Sequence, residues 1–129
     1  MAKTLATYTQ VCEWYYDDYT CITIIAPSIN GKVCAYIEDN NLDDAEVYDL
    51  YIGEKFRNQG YGQVLLDKME KKLKKRGVSR MIISVNQCEP KLLEWYKKHG
   101  WSYFLDKDGK KATTLENYNK RYYMTKKIK

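Results

Sequence analysis

The apolar and polar positions of this chain fall into short strand-like runs in the first half and two helical stripes in the second. Residues 5–16 hold Leu5, Tyr8, Val11, Trp14, Tyr15 and Tyr16. Their aromatic and β-branched content leans towards a strand, with a short helix as the alternative. Asp17-Asp18 reads as a turn, and residues 21–26 as a strand by composition. Asn30-Gly31 is a hairpin signal, so residues 32–38 read as the returning strand. Residues 39–44 read as a polar, acidic loop and residues 45–52 as a fourth strand. From about residue 60 to 76, Leu65, Met69 and Leu73 recur at i, i+4 and i+8 with Leu66 beside them, which makes one apolar helix stripe. Lys71, Lys72, Lys74, Lys75 and Arg76 crowd the end where cations suit the helix dipole, and Gly77 is placed to cap it. Residues 81–85 are short and apolar, as in a buried central strand. Pro90 suits the first turn of a second helix, which carries Leu92, Leu93 and Tyr96 on one face and ends at Gly100. Residues 101–105 read as a strand, Asp108-Gly109 as a turn, residues 110–120 as a polar loop, and residues 122–124 as part of a last strand.

This order predicts an α+β fold, a mixed and mostly antiparallel sheet with helices packed on its faces. No repeat or linker interrupts it, so residues 1–129 are expected to form one domain. With 44% apolar and 30% charged residues, the composition is that of a globular protein. No apolar run approaches the ~20 residues of a membrane span. Met1-Ala2-Lys3-Thr4 starts no signal-peptide core. Cys12, Cys21, Cys34 and Cys88 lack metal-ligand spacing, and His99 is the only histidine. The expectation is therefore no metal, and buried free thiols in a reducing cytoplasm.

Charge sharpens this picture. The net +5 conceals two lysines against nine acids in residues 1–50, and twenty basic residues against eight acids in residues 51–129. The basic part contains the stretch with the clearest chemistry, residues 50–66. There an apolar strand passes through a polar turn with Arg57, Gly60 and Gly62 into an amphipathic helix. Unpartnered N–H groups at a helix start attract anions, and glycines let a phosphate approach the backbone. No Gly-Lys-Ser/Thr follows, so this is no P-loop, and the dinucleotide-binding glycine spacing fails after Gly62. A phosphate-bearing cofactor is expected at this turn.

Three segments in order resemble the GNAT superfamily of acyl-CoA-dependent N-acetyltransferases, over about residues 45–104. Arg57-Asn58-Gln59-Gly60-Tyr61-Gly62 is similar to the family's pyrophosphate loop. Residues 45–52 look like its fourth strand. Trp95-Tyr96-Lys97-Lys98-His99-Gly100-Trp101 is similar to its Leu-Tyr-Glu-Lys-x-Gly-Phe segment. The resemblance implies an acyltransferase that moves an acetyl group from acetyl-CoA directly to a primary amine, with both substrates bound. It implies that backbone groups of Leu50, Tyr51 and Ile52 hold the pantetheine arm and that N–H groups of Arg57, Asn58, Gln59, Gly60, Tyr61 and Gly62 hold the pyrophosphate. It nominates Glu46 as the base, through a bridging water, and Tyr96 as the acid that serves the departing thiolate. Asp49 is the rival base if a bulge shifts the alternation of the strand.

Three departures from the family pattern carry consequences. Ser84 stands where some relatives have a glutamate base, which closes that route. Glu89 replaces a usual asparagine that contacts CoA. Only 44 residues precede the fourth strand, too few for three strands and the family's usual first two helices. Those helices normally shape the acceptor pocket, so an open, acidic-rimmed site is expected. Such a site suits a protein lysine or N-terminus, or a polyamine-like cation. The partner expected is thus an amine acceptor rather than nucleic acid or membrane, with the chain a monomer or homodimer. The alternative is a non-catalytic acyl-CoA-binding or protein-interaction module on the same fold. A basic nucleic-acid-binding protein is disfavoured, because no recognition motif appears.

Overall fold

The computed structural model describes residues 8–116 and 119–129. Leu5 and the Met1–Thr4 segment lie outside the described residues. Strands β1 (Gln10–Tyr15), β2 (Tyr19–Ala26), β3 (Gly31–Glu38) and β4 (Asn41–Tyr51) form an antiparallel meander. Helix α1 (Tyr61–Lys75) leads to β5 (Arg80–Asn86), and α2 (Pro90–Lys98) leads to β6 (Ser102–Tyr103). The chain ends with β7 (Thr113–Glu116) and β8 (Asn119–Lys127). The sheet order is β1-β2-β3-β4-β5-β8-β6, with β7 also paired to β8. Only the β4–β5 contact is parallel among the described pairs.

Local chemistry accounts for the ends of these elements. Asn30 takes a left-handed φ of 47° after a short 3-10 turn, Pro27–Ile29, and reverses the chain between β2 and β3. Gly77 and Gly100 have φ of 85° and 93°. Each closes a helix with a paired Schellman pattern: Val78 N–H to the Leu73 carbonyl and Gly77 N–H to Lys74, then Trp101 N–H to Tyr96 and Gly100 N–H to Lys97.

The buried positions alternate along the strands. Ile22 and Ile24 of β2, Val33, Ala35 and Ile37 of β3, Ala45 and Val47 of β4, and Met81, Ile83 and Val85 of β5 join Leu65, Leu66, Met69 and Leu73 of α1 and Leu93 and Tyr96 of α2 in one cluster. Residues of both helices share this one cluster, so α1 and α2 pack on the same face, as crossovers of one hand running in the same direction require. Among the described residues no helix covers the opposite face, because β1 turns directly into β2 through residues 16–18. The expectation that two helices could not both fit before the fourth strand agrees with this: among the described residues no α-helix precedes β4.

Three readings of the sequence change. The acidic loop expected at 39–44 is mostly strand: β4 begins at Asn41, and Asp44 is held by Arg80 of β5. The strand expected at 101–105 shrinks to Ser102–Tyr103, plus an isolated bridge from Leu105 to Lys111. The polar loop expected at 110–120 contains β7 and the start of β8, which pair through Thr113↔Tyr122 and Thr114↔Arg121. Pairing decides these segments, and their own sequence patterns are weak. All four cysteines are free, but Cys88 is exposed, so burial of the thiols holds for Cys34 and fails at Cys88. No helix among the described residues is long and apolar enough to cross a membrane.

Candidate active site

The site begins where β4 leaves β5. The two strands pair through Asp44↔Arg80, Ala45↔Met81 and Glu46↔Ile82, and no further. Arg80 clamps the closed end, with Nε and Nη2 donating to the two Asp44 carboxylate oxygens at 2.6 and 3.0 Å. A bidentate guanidinium–carboxylate pair fixes both position and angle. Beyond Glu46, β4 keeps β3 on one edge and has no strand on the other among the described residues. Backbone groups along that edge are therefore open to a ligand.

A bulge then re-aims β4. Between Cys34↔Tyr48 and Lys32↔Tyr51, two steps on β3 face three on β4, and Asp49 adopts φ 53°. The register shift that would turn Asp49 inward is present. Glu46 and Asp49 both line a cleft of about 610 Å³ in the splay, with Ser84, Leu92, Tyr96 and Arg121 on the other side. The geometry leaves both carboxylates in place as candidate bases.

Tyr96 is 3% exposed and packs edge-on against Trp95 and Trp101. Burial pushes its pKa to about 12; the nearby Glu89 carboxylate adds to the rise and Arg121 opposes it. At neutral pH the phenol keeps its proton. Ser84 accepts from Arg121, whose Nε lies 3.1 Å from Oγ and whose Nη2 lies 2.9 Å from the Ser84 carbonyl oxygen. A cationic side chain of β8 thus stands against Ser84 at the wall of the cleft.

At its other end the cleft meets a second groove, of about 440 Å³, through the shared residues Leu50 and Leu92. Its lining includes Ile52, Phe56, Arg57, Asn58, Gly60 and Tyr61, and Gly62, Lys91 and Trp95 complete it. The turn into α1 is shaped from within. Arg57 Nε donates to the Ile52 carbonyl at 2.9 Å and its guanidinium lies 5.3 Å from the Tyr51 ring centre. Gln59 Nε2 donates to the Lys55 carbonyl at 3.2 Å. Gly60, at φ 89°, stands before α1, and no side chain caps the helix start. A Cβ there would meet nothing within 4 Å, so the backbone is open to an approaching group. Tyr61 is 2% exposed and fixes the first turn of α1 in the core, against Phe56. The Trp95 ring lies 3.9 Å from where a Cβ on Gly62 would stand, and the His99 ring packs against it, tilted by 30° at 4.2 Å between centres.

Open N–H donors at a rigid helix start, Arg57 and Lys91 beside them, and an apolar channel leading into the splay suit a pyrophosphate joined to a flexible apolar arm. Of the residues expected to bind the cofactor, Tyr51 and Gln59 line neither cavity. The sequence reading did not single out Phe56, Lys91, Leu92, Trp95, Tyr36 or Arg121 for the site. Leu92 lies four residues before Tyr96 and Lys91 four before Trp95, so helical spacing gives a usable signal for this pair of rows. Arg121 reaches the cleft only by pairing of β8 with β5, which no local pattern reveals. Among the described residues no group of three or more His, Cys, Asp or Glu is arranged to hold a metal ion.

The family model for the acetyltransferase (GNAT) family matches residues 2–101. A ribosomal protein bS18-alanine N-acetyltransferase of Escherichia coli (strain K12) is 28% identical over 90 residues, covering 69% of this chain and 55% of that protein. The chain spans about half the length of the curated relatives it matches. A GNAT family acetyltransferase from Elizabethkingia anophelis, solved with acetyl-CoA bound, superposes with a TM-score of 0.63 at 16% identity, over 92% of this chain and 97% of that one. A spermidine/spermine N-acetyltransferase from Vibrio cholerae superposes with a TM-score of 0.66 at 14% identity, over 88% and 68%. These superpositions establish a shared fold.

Proposed function

The chain belongs to the GNAT acetyltransferase family, and from that premise we propose that its 129 residues act as one N-acetyltransferase domain, moving an acetyl group from acetyl-CoA to a primary amine in a ternary complex. One observation carries the reading: the groove at the Arg57–Gly62 turn runs into a splay whose walls bear Glu46, Asp49 and Tyr96. When bound, acetyl-CoA supplies an activated thioester. The N–H groups of the turn hold its pyrophosphate, with Arg57 and Lys91 adding positive charge, and backbone groups of Leu50 and Tyr51 on the open edge of β4, with the Ile52 N–H just beyond it, hold the pantetheine arm.

Glu46, exposed at the mouth of the splay, takes a proton from the acceptor through a bridging water. A lysine-like amine has a pKa of about 10.4, so a base is needed near neutral pH. Asp49 is the alternative base on the same strand. A backbone N–H of β4 stabilises the negative charge that builds on the carbonyl oxygen, an effect of roughly 3 kcal/mol. The amine nitrogen bonds to the acyl carbon, the carbon–sulfur bond breaks, the sulfur leaves as thiolate, and the second proton on nitrogen passes to solvent as the amide forms. With Tyr96 at about 12 and an ordinary thiol at about 8.5, complete proton transfer from the phenol runs uphill. Tyr96 therefore acts by donating a hydrogen bond to the sulfur as charge develops on it.

The acceptor is a cationic amine, the class to which the amines of a ribosomal-protein alanine, named for one relative, and of spermidine and spermine, named for one structural neighbour, belong. The exposed carboxylates at the mouth support this. The test is release of free thiol from acetyl-CoA across a panel of cationic, neutral and acidic amines. Transfer to cationic amines is expected. Transfer restricted to neutral or acidic amines sinks the acceptor class. CoA binding without thiol release on any amine favours the non-catalytic acyl-CoA-binding module instead.

A further inference from the structure

The sheet face without helices is continuous with the cleft. Tyr36 and Glu46 line both the cleft and a shallow depression of about 200 Å³ on that face, which Glu38 also borders. From Tyr36 a run of aromatic rings crosses the sheet: Tyr36 lies 5.0 Å from Tyr19, and Tyr19 stacks on Tyr16 at 4.5 Å. The run ends at the β1–β2 turn, beside Asp17 and Asp18. Glu38 and Glu46 both act on the Tyr36 phenol, whose pKa is raised first by burial and then by these neighbours. Lys32 of this face sits at the opposite end of β3.

We infer that this face docks an extended, basic segment of a protein acceptor, which lies over Tyr36, Tyr19 and Tyr16 with a second cationic side chain against Glu38 and Asp18 while its reacting amine enters the splay at Glu46. The inference rests on the acetyl-transfer reading of the cleft. Three features select this occupant. The depression, about 200 Å³, is smaller than the roughly 300–1,000 Å³ of small-molecule sites. The carboxylates along the run complement a cation, and tyrosine rings add favourable contact with lysine or arginine side chains. From β4 to the far side of β2 is about 10–15 Å at sheet spacing, which is three or four residues of extended chain at about 3.3 Å each. The second cation therefore belongs three or four residues from the acetylated amine.

Fluorescence anisotropy with two labelled ten-residue peptides tests this. Both carry one acceptor lysine; one has arginines three and four residues away, and the other has serines there. The arginine peptide is expected to bind at least tenfold tighter at low salt, with the preference shrinking as ionic strength rises. Glu38→Gln with Asp18→Asn, and separately Tyr16→Ser, are each expected to reduce the preference several-fold while transfer to n-butylamine stays unchanged. Equal binding of the two peptides, undiminished preference in both variants, or competition by spermidine as strong as by the peptide overturns the docking surface. Tight binding of the arginine peptide without its acetylation leaves the surface standing and counts against the transfer reading. Transfer to n-butylamine with no peptide preference does the reverse.

Discussion

On one face of the sheet, Ile22, Ile24, Val47, Met81 and Ile83 are sealed under two helices. On the other, Cys21, Tyr36, Glu46, Ser84 and Tyr123 look outward with no helix over them among the described residues. The groove proposed for the cofactor belongs to the first face and inherits its rigidity. Its helix start is fixed because Tyr61 is part of the core, and its wall is fixed because Trp95 is packed against His99. The acceptor side borrows little from the core. Its side chains are half-buried or exposed, so they can change without opening cavities. The contrast implies that cofactor binding and stability are coupled on one face, while acceptor choice and turnover are nearly free of stability on the other.

The largest effect is expected where the helical face meets the ligand. In Gly60→Glu the new side chain has open space around it but a left-handed backbone, φ 89°, which costs roughly 1–2 kcal/mol. Its carboxylate would stand near the pyrophosphate. At about 5 Å and an effective dielectric near 20, one such pair of charges repels by roughly 3 kcal/mol. Calorimetric titration should show CoA affinity lowered by about two to three orders of magnitude, with thermal stability lowered only modestly. Unchanged affinity would remove the turn from the cofactor site.

A smaller effect, and the sharper test of the contrast, comes from the splay. Glu46→Gln should lower kcat/KM by about a hundredfold, with the loss shrinking at high pH as more amine is already deprotonated. Its melting temperature should match the parent's, since Glu46 is exposed. Asp49→Asn should do little if Glu46 is the base; the reverse result exchanges their roles. Tyr96→Phe should lower kcat by about tenfold, the worth of a ~1.5 kcal/mol hydrogen bond to a developing charge, while CoA affinity stays within twofold. A melting temperature that falls with Glu46→Gln would break the distinction between the faces.

The same contrast governs what the sequence discloses. The stripe Leu65, Met69, Leu73 and the turns at Asn30-Gly31, Gly77 and Gly100 are local signals, and the structure bears them out. The turn proposed for the cofactor lies within one contiguous stretch, so its strand, glycines and helix start can be read together from the sequence. The side proposed for the acceptor is assembled from distant strands. Asp44 becomes strand because Arg80, 36 residues later, holds it, and Arg121 enters the cleft because β8 pairs with β5, 37 residues from Ser84. The bulge at Asp49 is visible beforehand only as a condition, since φ above zero at an aspartate depends on the register with β3.

The smallest effect concerns the tether between edge strand β1 and the helical face. Arg76, at the end of α1, donates through Nε and Nη2 to Glu13 of β1, and it lies 5.6 Å from the Tyr15 ring centre. The side chains are 30% and 24% exposed, so solvent screens the pair and Arg76→Ala should cost about 1 kcal/mol. The Arg76 hydrogen bond holds the Glu13 pKa below its ordinary value, against burial, which raises it. A depressed carboxylate pKa contributes stability above the unfolded value, about 4.3, and loses it as pH falls through the folded value. The parent should therefore melt about 3–5 °C above Arg76→Ala at pH 7, and the gap should close as pH falls below about 4. A gap that persists undiminished at low pH would assign the loss to packing of Arg76 on Tyr15. Since the pair lies outside both cavities, acetyl transfer at 25 °C should be unaffected, and a loss of rate would tie this edge strand to the acceptor side.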